Sequence, residues 1–433
     1  MSVPVTDVLP DTSDLRGQTV WIIGVNYAPD SVGIAPYTTQ LAEYLHQRGA
    51  HVEVTTGVPH YPEWEIADGY KWKISARERI NGVRVRRLRH TVPTTMTAAR
   101  RGLYEATFLG HVLARRAPCR PDLVVGVTPA LSGALSAAVI ARRLGVPYLV
   151  IVQDLVGPGA LQSGIQGGEK VAGVAGKAEA WALGHAAAVT VLHEGFRPYV
   201  LAAGVPENRV HIVRNWSYAV PATLDKAEAR RRLGWPADTP VVLYAGNMGK
   251  KMYLWNVVKT AKLAQERGED ILFVLLGDGH RRHDLETRSR GLKTVRFEDS
   301  RYGEDFANAL VAADILLVNE RPGVKNMSLP SKLAYYFTSG RPVIAAVEEG
   351  GTTALEVTEA KAGRVVPAGD PEALLTASLE LARDPDQCRE MGEAGRAFAA
   401  REYDRAHILG RVEGLLADIL RTGPVRRRSR ARS

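Results

Sequence analysis

The chain has 433 residues, 45 % of them apolar and 24 % charged, and a formal net charge of +9. These proportions exclude a disordered, coiled-coil or collagen-like chain, and the length fits two or three domains rather than one core. Its two cysteines, Cys119 and Cys388, are far apart, which excludes a disulfide framework or a zinc-ligand spacing and makes a reducing cytoplasm the expected setting.

Residues 1–17 carry acids and no apolar segment of a secretory signal, so a flexible start is expected there. No stretch has 18 uncharged apolar residues, which predicts a soluble or peripheral protein. Apolar strand-like runs then alternate with amphipathic helical stretches. The first series is 19–25, 51–56, 83–88, 122–127, 147–152, 187–192 and 210–213. The second is 240–245, 271–276, 293–297, 314–318, 342–346 and 363–366. Near-continuous apolar strands separated by helices predict parallel sheets covered on both faces. The expected class is α/β, with two Rossmann-like doubly wound domains over 18–214 and 227–402, facing each other across a cleft. Residues 215–226 lack periodicity and read as the linker. A helix over 403–420 is expected to cross back to the first domain, before a basic disordered tail over 421–433.

The positive charge is uneven. Between Arg77 and Arg116 lie ten arginines against two acids, Glu78 and Glu105, and the tail from Arg421 holds six more arginines. Such runs are either a solvated face with a disordered tail or a surface that attracts anionic lipid or nucleic acid.

Ligands of open α/β sheets sit beyond the carboxyl ends of the strands. After 19–25 comes NYAPDSVGIAPYTTQL, whose Gly33 stands where a strand hands over to a helix, a place where amides can face an anion. After 240–245 come Gly246, Asn247, Gly249, Lys250 and Lys251, two glycines that free the backbone and two lysines suited to phosphate. After 271–276 come Gly277 and Gly279. After 314–318 comes NERPGVKNMSLPSKLAYYF, in which Ser328 or Leu329 can precede a helix with Pro330 as its first residue, then Ser331 and Lys332. The amides of that first turn, the Ser331 hydroxyl and the Lys332 ammonium form a candidate diphosphate seat; the plain alternative is an ordinary capped helix. Asp154 follows strand 147–152 and His60 follows 51–56. Asp154 is otherwise a strand-end capping residue, and a lone histidine is more often structural. Asp384-Pro385-Asp386 spells a metal-site D-x-D, but it precedes a helical stretch and reads as an N-cap.

In order along residues 18–410, the segments YAPDSVGIAPYTTQLAEYLHQRGAHVEVTTGVPHYP, IVQDLVGPGALQSG, VRNW, LYAGNMGKKMYL, LLGDGHRR, AADILLV and LPSKLAYYFTSGRPVIA resemble the family-4 retaining glycosyltransferases of the two-domain GT-B fold. The likeness is to the colanic-acid-type and aminosugar-transferring branch. It implies transfer of a sugar from a nucleotide-sugar donor, UDP- or GDP-linked, to a lipid-linked or saccharide acceptor of cell-envelope or exopolysaccharide assembly, with no metal and no other cofactor. By the same resemblance Gly246, Asn247 (where many relatives carry arginine), Lys251, Gly277, Gly279, Ser331 and Lys332 bind donor, and Gly33 approaches its phosphates. Asp154 is the expected catalytic carboxylate, orienting the acceptor or stabilising positive charge on the sugar, and His60 is expected to touch the acceptor.

The chain departs from the pattern at one place. Many relatives carry two glutamates eight positions apart, and here those positions hold Met327 and Tyr335, with Glu320 as a carboxylate from a neighbouring turn. A basic Arg77–Arg116 face would dock such an enzyme, as a peripheral protein, on the anionic inner face of the cell membrane. Two rivals remain: a nucleotide-sugar 2-epimerase of the same fold, and a basic nucleic-acid-binding protein, which lacks interleaved aromatics. A dehydrogenase is disfavoured because no G-x-G-x-x-G opens either domain with an acid about 20 positions on.

Overall fold

A computed structural model describes residues 15–31, 33–94, 97–155, 168–325 and 330–422, the side chains of 168–172 excepted. Residues 1–14 of the expected flexible start, Met327, the helix-preceding Ser328 and Leu329, the GPGALQSG part of the matching segments and the tail beyond 422 lie outside these residues; 15–17 form an ordered turn with Leu15 fully buried, so the flexible start does not reach Gly17. The chain forms two compact units. One comprises Met1–Leu192, Phe196–Val213 and Leu409–Ser433; the other comprises His193–Gly195 and Arg214–Ile408.

The first unit is built on eight strands: β1 Thr19–Ile23, β2 His51–Gly57, β3 Ser75–Ile80, β4 Val83–Leu88, β5 Leu123–Val127, β6 Tyr148–Val152, β7 Ala188–Val191 and β8 Val210–Ile212. They run in the order β3-β4-β2-β1-β5-β6-β7-β8. All neighbours are parallel except the β3–β4 pair. β5 and β7 are buried along their whole length, as the near-continuous apolar runs require of a sheet covered on both faces.

β3 falls where no strand is expected from the sequence. It alternates exposed and half-buried residues and carries Arg77, Glu78 and Arg79, the charged pattern of an edge strand. Asn81 (φ 46°) and Gly82 (φ 88°) turn it into β4, with the positive φ values that a two-residue hairpin requires. The hairpin also divides the arginine run, so Arg77–Arg116 is not a single solvated face. Arg87 is fully buried, and its Nε donates to both carboxylate oxygens of Glu78 at 3.0 Å. Arg84 pairs with Glu53 at 3.1 Å and Arg101 with Glu105 at 2.6 Å. Strand pleat puts alternate arginines on opposite faces, and the inward ones need acids.

The last described helix is Arg405–Thr422, two residues later than expected, and from Leu409 onward it belongs to the first unit. Leu409, Val412, Leu416 and Ile419, spaced three and four apart, give it one buried face. Its Glu413 accepts the Tyr44 hydroxyl at 2.8 Å and pairs with Arg48 at 3.2 Å.

The second unit has six parallel strands: β9 Val241–Ala245, β10 Leu272–Leu276, β11 Val295–Glu298, β12 Ile315–Asn319, β13 Val343–Val347 and β14 Gly363–Pro367, ordered β11-β10-β9-β12-β13-β14. Alternate residues of β9 serve two cores, Val241 and Leu243 on one face, Val242 and Tyr244 on the other. Residues 215–226, read as a linker, are packed on this unit: Ser217 N donates to Tyr403 O at 2.9 Å, and Thr223 N and Leu224 N donate to Asn308 Oδ1 at 3.0 and 3.1 Å. Arg214 bonds Glu356, Glu359 and Glu402, each at 3.0 Å. Burial raises the Glu356 carboxyl, but His193, Arg214 and Tyr403 outweigh it and hold the group below its usual range. His193, Glu356 and Glu359 have ligand atoms within 4.8 Å of one another, a spacing suited to a cation, and the Arg214 guanidinium supplies positive charge there. Asp384 caps its helix by accepting from Gln387 N at 2.9 Å, as its sequence reads.

No helix of the described residues is long and apolar enough to cross a membrane.

Candidate functional site

The loops after β9 and β10 are interlocked. Met248 N donates to Asp278 O at 2.7 Å, and Arg281 N to Met248 O at 3.1 Å. At Gly277 (φ 139°) a Cβ would lie 2.1 Å from Gly246 O, and at Gly279 (φ 153°) 2.5 Å from Asn247 Oδ1. Neither position has room for a side chain. The two glycines therefore let one loop lie on the other, and this leaves backbone at the surface where a ligand would arrive. Asn247 is exposed, with its carbonyl accepting the Tyr244 hydroxyl at 2.6 Å.

Charge gathers beside these loops. Lys251 Nζ lies 3.8 Å from Glu320 Oε1, just beyond the carboxyl end of β12. Lys332 Nζ is buried 3.7 Å from the centroid of the Tyr244 ring, and a Cβ on Gly246 (φ 138°) would approach it to 3.2 Å. Among the described residues neither Lys332 Nζ nor Glu320 Oε1 has a hydrogen-bond partner. Burial pushes the Lys332 ammonium down to about 7; Glu320 works against that shift and Lys251 adds to it. Burial raises the Glu320 carboxyl, opposed by both lysines. Two ammonium groups thus share one carboxylate in a dry place, an arrangement that an arriving anion would stabilise.

The helix that carries Lys332 runs Lys332–Ser339, so Pro330 lies before it and is not its first residue. Ser331 occupies the capping position, exposed, without a side-chain cap bond. The helix is fastened deeper in: Tyr336 Oη accepts from Ala245 N at 2.9 Å, which ties it to the end of β9 and carries the Lys332 stem inward. At Tyr335, where the resemblance leads one to expect a glutamate, the ring packs on Tyr218 and Phe306, with centroids 5.2 and 5.6 Å away.

In the first unit the loops after β1, β2 and β6 bring Asp30, Gly33, His60, Tyr61 and Asp154 to one end of the sheet. Asp30 is 8 % exposed and accepts from His60 N and Asn26 Nδ2, both at 3.3 Å. Burial raises its carboxyl, opposed by His60. A Cβ on Gly33 (φ 67°) would lie 3.2 Å from the Tyr61 ring. Burial, then the charges of Asp154 and Asp30, raise the Tyr61 hydroxyl, so both carboxylates lie near that phenol. Asp154 is half-buried, just past β6.

His60 is 2 % exposed. Its Nδ1 is 2.8 Å from Val58 O and its Nε2 3.3 Å from the Tyr104 hydroxyl, and its ring packs on His90 with centroids 4.9 Å apart. Burial lowers its pKa. A neutral ring that donates from Nδ1 and accepts at Nε2 fits these partners, and the bond to Asp30 comes from the His60 backbone amide.

Sequence reading missed Tyr244, Asn256, Asn319 and Asp30 as parts of the site. Asn319 Nδ2 donates to Met252 O at 2.7 Å and to Tyr253 O at 3.2 Å, and Asn256 Nδ2 donates to Asn319 Oδ1 at 3.0 Å. Both asparagines are fully buried and fix the turn that presents Lys251. An asparagine ending an otherwise apolar strand was the available signal.

A glycosyl transferase 4-like domain matches residues 32–216, and a domain of the glycosyl transferases group 1 matches 239–384. The glycosyl transferase WcaI of Escherichia coli K12, assigned to colanic acid biosynthesis, is 28 % identical over 343 residues, which are 76 % of this chain and 83 % of that protein. Among solved structures, sucrose-phosphate synthase of Thermosynechococcus elongatus superposes with a TM-score of 0.71 at 20 % identity, covering 93 % of this chain and 99 % of that one. Anabaena HepE, solved with UDP, gives 0.67 at 14 % identity, covering 93 % and 100 %. With two matched domains in family order and a GT-B fold, the chain belongs to the group 1 (family-4-like) glycosyltransferases and is an enzyme of glycan assembly.

Proposed function

We propose that this glycosyltransferase moves a sugar from a UDP- or GDP-linked donor to a lipid-linked or saccharide acceptor of cell-envelope or exopolysaccharide assembly, with retention and without a metal. The observation that carries the donor side is the pair Lys251 and Lys332 around Glu320, at the carboxyl ends of β9 and β12. A diphosphate placed there meets the Lys251 ammonium and the glycine backbone of the neighbouring loops, with the buried charge of Lys332 behind them, the neutralisation that a divalent ion supplies elsewhere. Structural neighbours carry different bases, since HepE is solved with UDP and with UDP-glucose and starch synthase IV of Arabidopsis thaliana with ADP.

In the transfer, the bond between the anomeric carbon and the diphosphate oxygen breaks. The acceptor oxygen bonds that carbon on the same face, and its proton passes to the departing phosphate oxygen. The lysines hold the leaving group. Asp154 orients the acceptor and stabilises positive charge on the sugar, with Asp30 and His60 supporting the same end of the sheet.

Membrane docking is part of the reading. Trp72 is 95 % exposed and Ile74 64 %, alternating with the exposed Lys71 and Lys73 and followed by the exposed Arg77 and Arg79 of the edge strand. An aromatic and an aliphatic side chain set among cations suit an anionic lipid surface on the cytoplasmic side.

Thermal-shift titration with UDP, GDP, ADP and TDP, each with and without Mg²⁺, tests the proposal. A shift with one nucleotide that is independent of metal and lost in Lys251→Ala supports it. No shift with any nucleotide, or one that requires Mg²⁺, counts against it.

A further inference from the structure

A pocket of about 580 Å³ opens in the second unit at the amino ends of its strands. Pro240, Asp314 and Pro342 line it, and each immediately precedes a strand, β9, β12 and β13, which are neighbours in the sheet. Lys251 and Glu320 follow the opposite ends of β9 and β12. Five-residue strands at ~3.3 Å per residue put the two places roughly 16 Å apart. The pocket is therefore no extension of the donor site.

Its walls carry five basic side chains, Lys226, Arg230, Arg341, Arg389 and Arg396, against three acids, Asp238, Asp314 and Glu393. Asp314 is already taken up by Lys226, Arg230 and the amide of Val241. Arg230 spends its other donors on the carbonyls of Ala312 and Ala237, at 2.9 and 2.7 Å. Arg341 and Arg396 are less fully engaged. Arg341 donates from Nη2 to Val311 O at 2.6 Å, while its Nε is buried with no partner among the described residues. Arg396 donates from Nη2 to Ser339 O at 3.0 Å. Burial lowers the Arg341 pKa, Asp314 opposes this, and the charges of Arg396 and Arg230 lower it further. Guanidinium groups thus converge on a cavity with more positive than negative charge.

We propose that this pocket binds a phosphate-bearing small molecule through Arg341 and Arg396. Guanidinium forks match phosphate oxygens in pairs, and a dianion in the cavity would relieve the repulsion among the arginines. The volume lies within the ~300–1,000 Å³ of small-ligand sites, so it admits a phosphorylated metabolite as well as free phosphate.

Calorimetric titration of the full chain with inorganic phosphate, pyrophosphate and glucose 6-phosphate, at constant ionic strength, tests the proposal. The titrations are done in wild type and in Lys251→Ala, which removes donor-site binding on the function proposed above. Saturable binding should survive in Lys251→Ala and weaken about tenfold or more in Arg396→Gln and in Arg341→Gln, with the nucleotide-induced shift unchanged in both. Arg396→Gln decides the matter if Arg341→Gln fails to fold. Glucose 6-phosphate binding more tightly than phosphate identifies a phosphorylated metabolite as the natural class, and equal affinities identify free phosphate. Absence of saturable binding by all three probes in Lys251→Ala overturns the proposal, as does binding that Arg396→Gln leaves unchanged.

Discussion

The ammonium nitrogen of Lys332 lies 3.7 Å from the ring centroid of Tyr244, buried, with Glu320 and Lys251 as its charged neighbours. The ring face compensates part of the lost hydration, on the order of 2 kcal/mol for a desolvated pair. It does not compensate all of it, so the charge is held at a cost.

That cost has a sign that can be measured. The group titrates at about 7 in the folded chain, against an ordinary 10.5. Between those values the unfolded chain binds more protons, so stability rises with pH across that window, and the penalty is full below pH 7. Lys332→Met, similar in length and uncharged, should be more stable than wild type at pH 6 by on the order of 1 kcal/mol or more, equivalent to roughly 2–4 °C. The advantage should shrink toward pH 10. Melting curves at pH 6, 8 and 10 check this, and a variant less stable at pH 6 would refute it.

The same proton should couple to donor binding. A diphosphate favours the charged lysine, so the chain takes up a proton as it binds, and affinity falls as pH rises. Between pH 7 and 9, above the phosphate's own titration near ~6, the loss should be several-fold and absent in Lys332→Met. Calorimetry in two buffers of different ionisation enthalpy reads the proton directly.

Gly277→Ala places a Cβ 2.1 Å from Gly246 O, at a φ of 139°. Since backbone strain of this kind alone costs of order 1–3 kcal/mol, the denaturation midpoint should fall by at least that equivalent. Nucleotide binding should weaken with it, because the loop after β9 must shift.

Asp154→Asn should separate the two halves of the reaction. Transfer should drop by roughly 10²–10³-fold, while the nucleotide-induced thermal shift keeps its size. Loss of the shift would instead make Asp154 a structural or donor-side residue.

For the membrane reading, Trp72→Ser and Lys73→Ala should each reduce co-flotation with anionic vesicles, by about fivefold for the lysine at roughly 1 kcal/mol per basic residue. Neutral vesicles should not retain the wild type. Equal recovery of variant and wild type on anionic vesicles would move the contact elsewhere or remove it.

Much of the architecture is legible in the sequence because parallel strands buried on both faces, such as β5 and β9, cannot avoid apolar runs, and among the described residues thirteen of the fourteen strands fall in stretches read as strands. β3 does not, since an edge strand paired on one side can alternate the exposed Arg77 and Arg79 with the half-buried Ala76, Glu78 and Ile80; the Asn81-Gly82 turn is its one local sign. In the site, Gly246, Gly277 and Lys251 are legible because they stand where strands end. The depth of Lys332 is not. It follows from Tyr336 anchoring the helix to β9, a contact 91 residues apart in sequence. Arg87 looks in sequence like any other arginine of its run, and only the strand pleat and Glu78 place it inside.

The bond between Tyr44 and Glu413 joins residues 369 apart, across the whole of the second unit's sequence. The second unit is complete at Ile408, whereas the first still awaits the helix that begins at Arg405 and enters it at Leu409. During synthesis the domain made later can therefore finish before the one made earlier. At ordinary elongation rates of ~5–20 residues per second, Tyr44 and Arg48 wait on the order of 10–40 s after Val213 emerges for the carboxylate that engages them. For that interval the part of the amino-terminal domain that the buried face of this helix covers stays open to water.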